Sequence, residues 1–585
     1  MKTILISIFS LLFLGLPSLQ AQEDYLFKAP GAPRDPKVPI RWNRYYDYDE
    51  LEALCKQMAQ AYPELVTLES IGLSYEERNI WCLTITDKTV GRADQKPGFY
   101  IDGNIHSNEI QGSEFALYTA WYLIENHASV AFIKELLADK VFYIIPTINP
   151  DARHHFFHTP NNANSPRGGL VPVDNDGDGQ YNEDGYDDLD ANGEITMMRR
   201  KSSTGRWKVD SEDPRRMIRV TGDEQGEYEM LGYEGLDNDG DGRINEDGVP
   251  FSYDPNRDWG WNWQPDYVQR GAYKYPFSLP ETRAVADFVE QHPNIAGVQT
   301  YHNTGGMILR GPGAKEDVGL YNRSDLSVYN QLGKKGAEML PGYRYLVIYK
   351  DLYSVYGGEI DWFYGNKGIF SFSNELWTSF LLFNKDYRKE GGSSRADYYK
   401  FDKYLLFEEA FVPWTTYEHP QYGEIEIGGF KRGYTRIDPT FILESDAHRN
   451  MAFTVYHADQ MPKLEIQEVN TRELKKNLFE VTAVVVNKRV IPTHSAHDVN
   501  NKITRPDWIS IRSAEKTEVL AGMIVENVDF DVSREQAYQP EKIRVPNIPG
   551  MGKVTVRWIV KGEGPYLIEV NSIKGGFTAH STASE

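Results

Sequence analysis

Gly98-Phe99-Tyr100-Ile101-Asp102-Gly103-Asn104-Ile105-His106-Ser107-Asn108-Glu109 is the stretch on which the fold turns. Gly98 to Ile105 reads as a strand, and Ser113 to Asn126 just beyond it reads as a strong helix. Val141 to Ile148 then returns to a strand. On the N-terminal side, Leu51, Leu54, Met58 and Ala61 recur at helical spacing between Asp47 and Tyr62, and Pro63 ends that helix. Val66 to Ile71 and Ile80 to Ile85 read as strands joined by the polar turn Ser74-Tyr75-Glu76-Glu77. Further along, Glu281 to Gln291 is helical, and Ile295 to Tyr301 and Gly368 to Ser373 are strands. Strands alternating with helices predict an α/β unit, with a mixed, mostly parallel sheet covered by helices on both faces.

Two regions break the rhythm. Thr159 to Pro250 is polar, acidic and Gly-rich, too long for a simple connection, and reads as an insertion over 160–250. From Lys463 the helical period disappears. Leu478 to Val486, Trp508 to Ile511, Lys553 to Val560 and Tyr566 to Val570 are β-branched or aromatic runs between Pro, Gly and Asn turns, which predicts an all-β sandwich over 463–585. The catalytic unit is then expected over 22–413, with 414–462 as a linker or helical extension. At the start, Met1-Lys2 followed by the apolar run Ile4 to Leu16 and the small residues to Ala21 reads as a signal peptide over 1–21. No cysteine follows it to carry a lipid, so a secreted or periplasmic protein without a membrane span is expected.

The 585 residues carry a net charge of -22, which disfavours nucleic acid or an anionic membrane as a partner. Much of that charge lies between Asp174 and Asp247, which suggests bound cations. Cys55 and Cys82 are the only cysteines, and one bridge or two buried thiols are both compatible with their positions.

His106 and Glu109, three apart where a strand gives way to a helix, can point at one metal ion. A catalytic zinc needs a third protein ligand from elsewhere and an open fourth position for water. His302 lies at the C-terminal end of the strand before it, where ligands collect in open α/β sheets. Glu375 follows the apolar strand Ile369 to Phe372 in the same way. Asn256-Arg257 comes just after the insertion. The chain has no His-Glu-x-x-His run, no Gly-rich phosphate loop with its lysine and no Gly-x-Ser-x-Gly elbow. His154, His155 and His158 make a metal-like cluster without evident mates.

In these features the sequence resembles the zinc carboxypeptidase family, which includes pancreatic carboxypeptidase A. The His-x-x-Glu, the later His after a strand, the Asn-Arg pair, Asn149-Pro150-Asp151 and Gly357-Gly358-Glu359-Ile360-Asp361-Trp362 before a strand ending in Glu occur in the family's order, over roughly Arg44 to Pro413. The resemblance implies one zinc per chain held by His106, Glu109 and His302. It implies Glu375 as the general base for the water that zinc activates, returning the proton to the leaving amine. Asn256, Arg257 and Tyr353 would hold the terminal carboxylate of a peptide or protein substrate, a role that suits arginine's bidentate fork. For the arginine that stabilises the oxyanion, Arg199 fits the family's local pattern best, with Arg200 and Arg167 as alternatives. Ile360, at the position that tunes the pocket, favours an apolar or aromatic terminal residue, although Glu359 is adjacent and could act instead. Asn108, where carboxypeptidase A has arginine, leaves peptidoglycan stem peptides open as a substrate. A catalytically dead binding protein is the non-enzymatic alternative, against which the full set of ligands speaks. The oligomeric state is not set by the sequence.

Inside the insertion, Asp174-x-Asp176-x-Asp178-Gly179 and Asp237-x-Asp239-x-Asp241-Gly242 are near copies, and Asp188-x-Asp190-x-Asn192-Gly193 repeats the pattern. Oxygen donors at positions one, three and five with glycine at six predict structural calcium loops. Calcium there is expected to order the insertion and so to position Arg199 and Asn256-Arg257.

Overall fold

Every residue of the strand Gly98–Gly103 is buried, as in a strand covered on both faces. Phe99 and Ile101 enter one apolar core and Tyr100 enters another on the opposite face, the alternation that the pleat imposes. The computed structural model describes residues 30–33, 35–174, 179–182, 184–240, 242–245, 253–385, 395–513 and 517–583; the signal-peptide reading lies outside them. The strand is the third of an eight-stranded sheet comprising β1 (Val66–Leu73), β2 (Asn79–Ile85), β3 (Gly98–Gly103), β4 (Val141–Ile145), β9 (Ile295–Asn303), β10 (Met307–Arg310), β11 (Arg344–Val347) and β12 (Phe370–Leu376). Their spatial order is β1-β2-β4-β3-β9-β12-β10-β11. Four of the seven neighbouring pairs, β3 with β4, β3 with β9, β9 with β12 and β10 with β11, are parallel. The sheet is therefore mixed and mainly parallel, as the alternation of elements predicts.

The principal helices are α1 (Tyr48–Ala61), α2 (Gln111–Asn126), α3 (Ala131–Asp139), α4 (Pro150–His158), α5 (Pro280–Gln291), α6 (Arg323–Met339), α7 (Glu359–Lys367), α8 (Arg395–Leu405), α9 (Thr440–Asp459) and α10 (Ala496–Asn501). Asp47 caps α1 in a capping box with Glu50. Leu51, Phe115, Leu332 and Phe453 bring α1, α2, α6 and α9 into the core on one face of the sheet, whereas Val285 and Phe363 bring α5 and α7 into the other. Cys55 belongs to the first core and Cys82 to the second. Both are free thiols.

The insertion is more than a loop. Its strands β5 (Met197–Lys201), β6 (Trp207–Val209), β7 (Met217–Arg219) and β8 (Tyr228–Tyr233) join β13 (Phe411–His419) and β14 (Gly423–Phe430) in a six-stranded sheet of order β13-β14-β5-β8-β6-β7. The stretch 414–462, expected as a linker or helical extension, holds β-strands as well as the helix α9. It completes this sheet, and α9 packs against α2 and β9. The helical signal there is masked because Asp446, Asn450, Thr454 and His457 are buried beside Leu443, Met451 and Phe453, which interrupts the apolar stripe.

The C-terminal unit has two antiparallel sheets. One runs β15 (Leu464–Lys475), β16 (Leu478–Asn487), β21 (Lys553–Lys561), β18 (Glu518–Asn527), β19 (Val532–Glu535). The other runs β20 (Lys542–Val545), β17 (Asp507–Ser513), β22 (Tyr566–Ser572), β23 (Gly576–Ser581). Val481, Val485, Ile509, Trp558 and Ile568 fill the core between them. This unit grips the end of α7. Ser495 Oγ donates to Gly368 O at 2.9 Å, His497 Nε2 meets Gly365 O at 2.9 Å, and Lys574 Nζ donates to Lys367 O at 2.6 Å. The backbone N–H groups of Ala496 and His497 donate to the two oxygens of Asp325, which also takes the Tyr364 hydroxyl. Asp498 anchors the grip: burial alone would raise its pKa, but His494 and Lys574 hold it well below the ordinary carboxylate range.

Candidate metal centre

The turn after β3 is built to present two side chains. Asn104 adopts φ +58°, a conformation that asparagine tolerates better than most residues. Its amide donates to the carbonyls of His106 and Ser107, and Arg153 and Thr147 donate to its oxygen. A Cβ on Gly103 would lie 2.6 Å from the backbone of Gly112, so only glycine lets α2 start this close to the strand. The helix begins at Gln111. His106 and Glu109 therefore sit in the turn ahead of it, joined by the bond from Glu109 N to His106 O at 3.1 Å.

Strand β9, beside β3, carries His302 within it, and β12 places Glu375 directly opposite His302 in register. The result is a convergence of donor atoms. His106 Nδ1 lies 3.1 Å from Glu109 Oε2, His302 Nδ1 lies 3.0 Å from the same oxygen, and the two imidazole nitrogens are 3.1 Å apart. Donors about 2.0–2.1 Å from a tetrahedral zinc stand roughly 3.3 Å from one another, close to this spacing. All three residues are buried. Two imidazoles and a carboxylate are the donor types that zinc takes, and no fourth protein ligand joins them among the described residues. His106 turns its other nitrogen to Asp254 Oδ1 at 2.7 Å, the outer carboxylate that fixes a ligating imidazole's orientation.

Cationic side chains frame the carboxylates. Arg167 Nη1 donates to Glu109 Oε1 at 2.8 Å, and its Nη2 lies 3.1 Å from His106 Nε2 and 3.4 Å from Asp254 Oδ2. Arg436 reaches the same oxygen of Glu109 at 3.5 Å. Burial would raise the pKa of Glu109, but His106 and Arg167 hold it well below the usual range. Glu375 goes the other way. Burial and then the neighbouring Glu109 push it up to about 7, against His302, Arg167 and Arg436. A cavity lined by His106, His302, Glu375, Arg167, Asn256 and Arg257 opens in front of these groups.

A model of the zinc carboxypeptidase family matches residues 51–175 and 180–395. The chain belongs to the zinc carboxypeptidase family. Residues 463–583 match a domain of unknown function. Carboxypeptidase B of Astacus astacus is 38% identical over 116 residues, which are 20% of this chain and 36% of that protein. Zinc carboxypeptidase A 1 of Drosophila melanogaster is 33% identical over 138 residues, 22% of this chain and 31% of that protein. The match thus spans about a third of the length of either relative. A solved carboxypeptidase A from Helicoverpa armigera shares 20% identity over 61% of this chain and 69% of its own, with a TM-score of 0.38.

The remaining site residues expected for a zinc carboxypeptidase fall in two groups. Asn256, Arg257, Tyr353 and Ile360 line the same cavity. Asn256 accepts from Glu359 N at 2.8 Å and lies 3.4 Å from His302 Nε2. Arg257 is largely buried, and Tyr353, also lining the cavity, stands 59% exposed. Arg199 is elsewhere, which corrects the expectation for it. It lies on β5, bonded to Glu426 at 2.6 Å, with Trp414 and Tyr228 against its guanidinium at 4.1 and 4.5 Å. Arg200 pairs with Glu229 on the same sheet. The arginine at the centre is Arg167, which sequence reasoning held only as an alternative. Asp254 and Arg436 were missed. Asp254 could have been found as the acid beside the Asn-Arg pair, whereas nothing local marks Arg436. His154, His155 and His158 lie on α4 and gather no common ligand set among the described residues; His158 Nε2 pairs with Asp47 at 3.0 Å.

The acidic loops share one turn. Asp174, Asp188 and Asp237 each accept the backbone N–H of the glycine five residues on, at 3.1, 2.8 and 3.0 Å, and those glycines have φ of +95°, +85° and +94°. Asp188 and Asp190 gather with the buried Glu234, and the amide of Asn192 donates to Asp190 at 2.8 Å. Asp176, Asp178 and Asp241 lie outside the described residues, and Asp239 lies within them.

Proposed function

We propose that this chain is an exported zinc metallocarboxypeptidase that hydrolyses the C-terminal peptide bond of peptides or proteins. The observation that carries the reading is the convergence of His106, Glu109 and His302, with the two histidines lining one cavity together with Glu375 and Arg257. Zinc held by those three ligands supplies a Lewis acid and lowers the pKa of water towards ~7. Glu375, one strand away from His302, takes the proton of the attacking water and delivers it to the leaving amine. Arg167 offers its guanidinium to the charge that develops on the carbonyl oxygen. Arg257, oriented through Asn256, holds the terminal carboxylate, and Tyr353 closes over it. Asn108, on which the alternative of stem peptides rests, donates its amide to Ala163 O at 3.1 Å. Export rests on the leader read in residues 1–21. No helix among the described residues is long and apolar enough to cross a membrane.

The test is metal content together with hydrolysis of blocked dipeptides. One zinc per chain and release of the terminal residue are expected, with both lost in His302→Ala. Stoichiometric zinc without release of any terminal residue from any substrate would overturn the reading.

We also infer structural calcium in the insertion, supported by the shared turn of the three loops and by Asp188, Asp190 and Glu234 coming together. Burial pushes the pKa of Glu234 up to about 7, so a cation beside it would favour its charged form. The insertion carries Arg167 near its start and is followed at once by Asp254. Ordering it therefore steadies both partners of His106. Chelating calcium while zinc is retained should lower the melting temperature and the activity together; unchanged melting and kinetics in the calcium-free protein would count against it.

A further inference from the structure

The C-terminal sandwich holds a cavity of its own. One of its sheets ends in the edge strand β19 and the other in the edge strand β20. Both strands, with α10 and the chain that follows it, line a cavity of about 700 Å³, a size that takes whole small molecules. None of its lining residues belongs to the zinc cavity.

The lining joins two chemistries. Val499, Ile503, Ile524 and Ile543 make part of it apolar, and Ile543 also reaches the core between the sheets. Lys502, Arg505, Arg534 and Arg544 bring four cations to the same cavity, against the two acids Asp498 and Glu535. Asp498 is already balanced, because His494 and Lys574 lie 3.1 and 2.7 Å from its Oδ2. Arg534 donates to Glu526 at 2.9 Å, and Arg505 lies over the Trp508 ring at 3.9 Å while donating to Asn571 O at 3.3 Å. Among the described residues, the charged groups of Lys502 and Arg544 make no hydrogen bond or ion pair. The unit around them is close to neutral, with 17 lysines and arginines and 16 acids over 463–585, in a chain of net charge -22. An anion that reaches this end of the molecule therefore escapes most of the repulsion that the rest exerts.

Cations gathered around one hollow repel each other until an anion joins them, and apolar lining left in water gains when an apolar body covers it. The two needs are met together by one ligand that carries both parts. An added peptide strand is disfavoured. Gln536, also in the lining, accepts from Arg544 N at 2.9 Å and donates to Lys542 O at 2.8 Å, so the free edge of β20 is closed by a side chain.

We propose that this cavity binds an amphipathic organic anion, a carboxylate or sulfate carried on an apolar chain or ring. The head meets Lys502 and Arg544, where a guanidinium offers its fork to two oxygens. The body lies along Val499, Ile503, Ile524 and Ile543.

The test uses the zinc-loaded full chain. Octanoate and octyl sulfate are titrated calorimetrically below their micelle concentrations, beside 1-octanol, inorganic sulfate and dextran sulfate. Both amphiphiles should bind at one site per chain, at least about tenfold tighter than the head or the body alone. Lys502→Glu combined with Arg544→Glu should weaken them by about tenfold or more, the scale of reversing two exposed charges. Both residues are exposed, so melting temperature and kcat/KM on blocked dipeptides should stay as in wild type. The milder pair Lys502→Gln and Arg544→Gln should lose less. No binding of either amphiphile would overturn the proposal, as would octanol binding as tightly as octanoate, which would leave only an apolar patch. Sulfate or dextran sulfate binding as tightly as octyl sulfate would leave only a basic surface. Octanoate binding that the double charge reversal does not weaken would place the acid elsewhere, and would overturn the assignment equally.

Discussion

Glu375→Gln is expected to lose at least about 10²-fold in kcat, and up to about 10⁴-fold, the range general-base catalysis contributes, while the protein keeps its zinc. Glutamine fills the same space on β12 but cannot take a proton from water. The three ligand atoms belong to other residues and remain within 3.0–3.1 Å of one another. Metal content by elemental analysis and steady-state kinetics on one batch give the answer. Residual kcat within tenfold of wild type would mean that another group moves the proton. Zinc lost along with activity would mean that Glu375 helps hold the metal.

Arg167→Ala should cost about 10²–10³-fold in kcat/KM, the scale of removing one preorganised donor from a developing oxyanion. Arg199→Ala should leave hydrolysis unchanged. Arg167 bridges Glu109 and Asp254 with separate nitrogens. Arg167→Lys keeps the charge but not the fork, and should recover only part of the loss. Arg199 is held by Glu426 and two aromatic faces on the insertion sheet, so its loss should appear in the melting temperature alone. If Arg199→Ala slowed hydrolysis as much as Arg167→Ala, the reassignment would be wrong.

The principal sheet could be read from the sequence because β3, β4 and β9 are short apolar runs next to strongly periodic helices. The ligand pair could be read because His106 and Glu109, three apart on one turn, are local in sequence. His302 and Glu375 could be read because each is tied to a strand. What escaped was set by contacts without local trace. Asp254 meets His106 across 148 positions and Arg436 meets Glu109 across 327; Arg436 also lies beyond the stretch that resembles the family. The arginine was misplaced because a basic run at 199–201 looks like a motif, whereas Arg167 is isolated in a Gly- and Pro-rich turn. The insertion strands escaped because β6 and β7 have three residues each, too few to show a period. The lining of the sandwich cavity comes from α10, β18, β19 and β20, which only the folded sandwich makes neighbours.

Helix α7 belongs to two structures at once. Its first residues, Glu359 to Asp361, close the cavity, and its last turn is gripped through Gly365, Lys367 and Gly368 by the C-terminal sandwich. If occupancy of the pocket shifts the grip by some factor in affinity, the grip must shift occupancy by that same factor. Whatever the sandwich binds outside the enzyme would then share an equilibrium with the substrate, with α7 as their common lever.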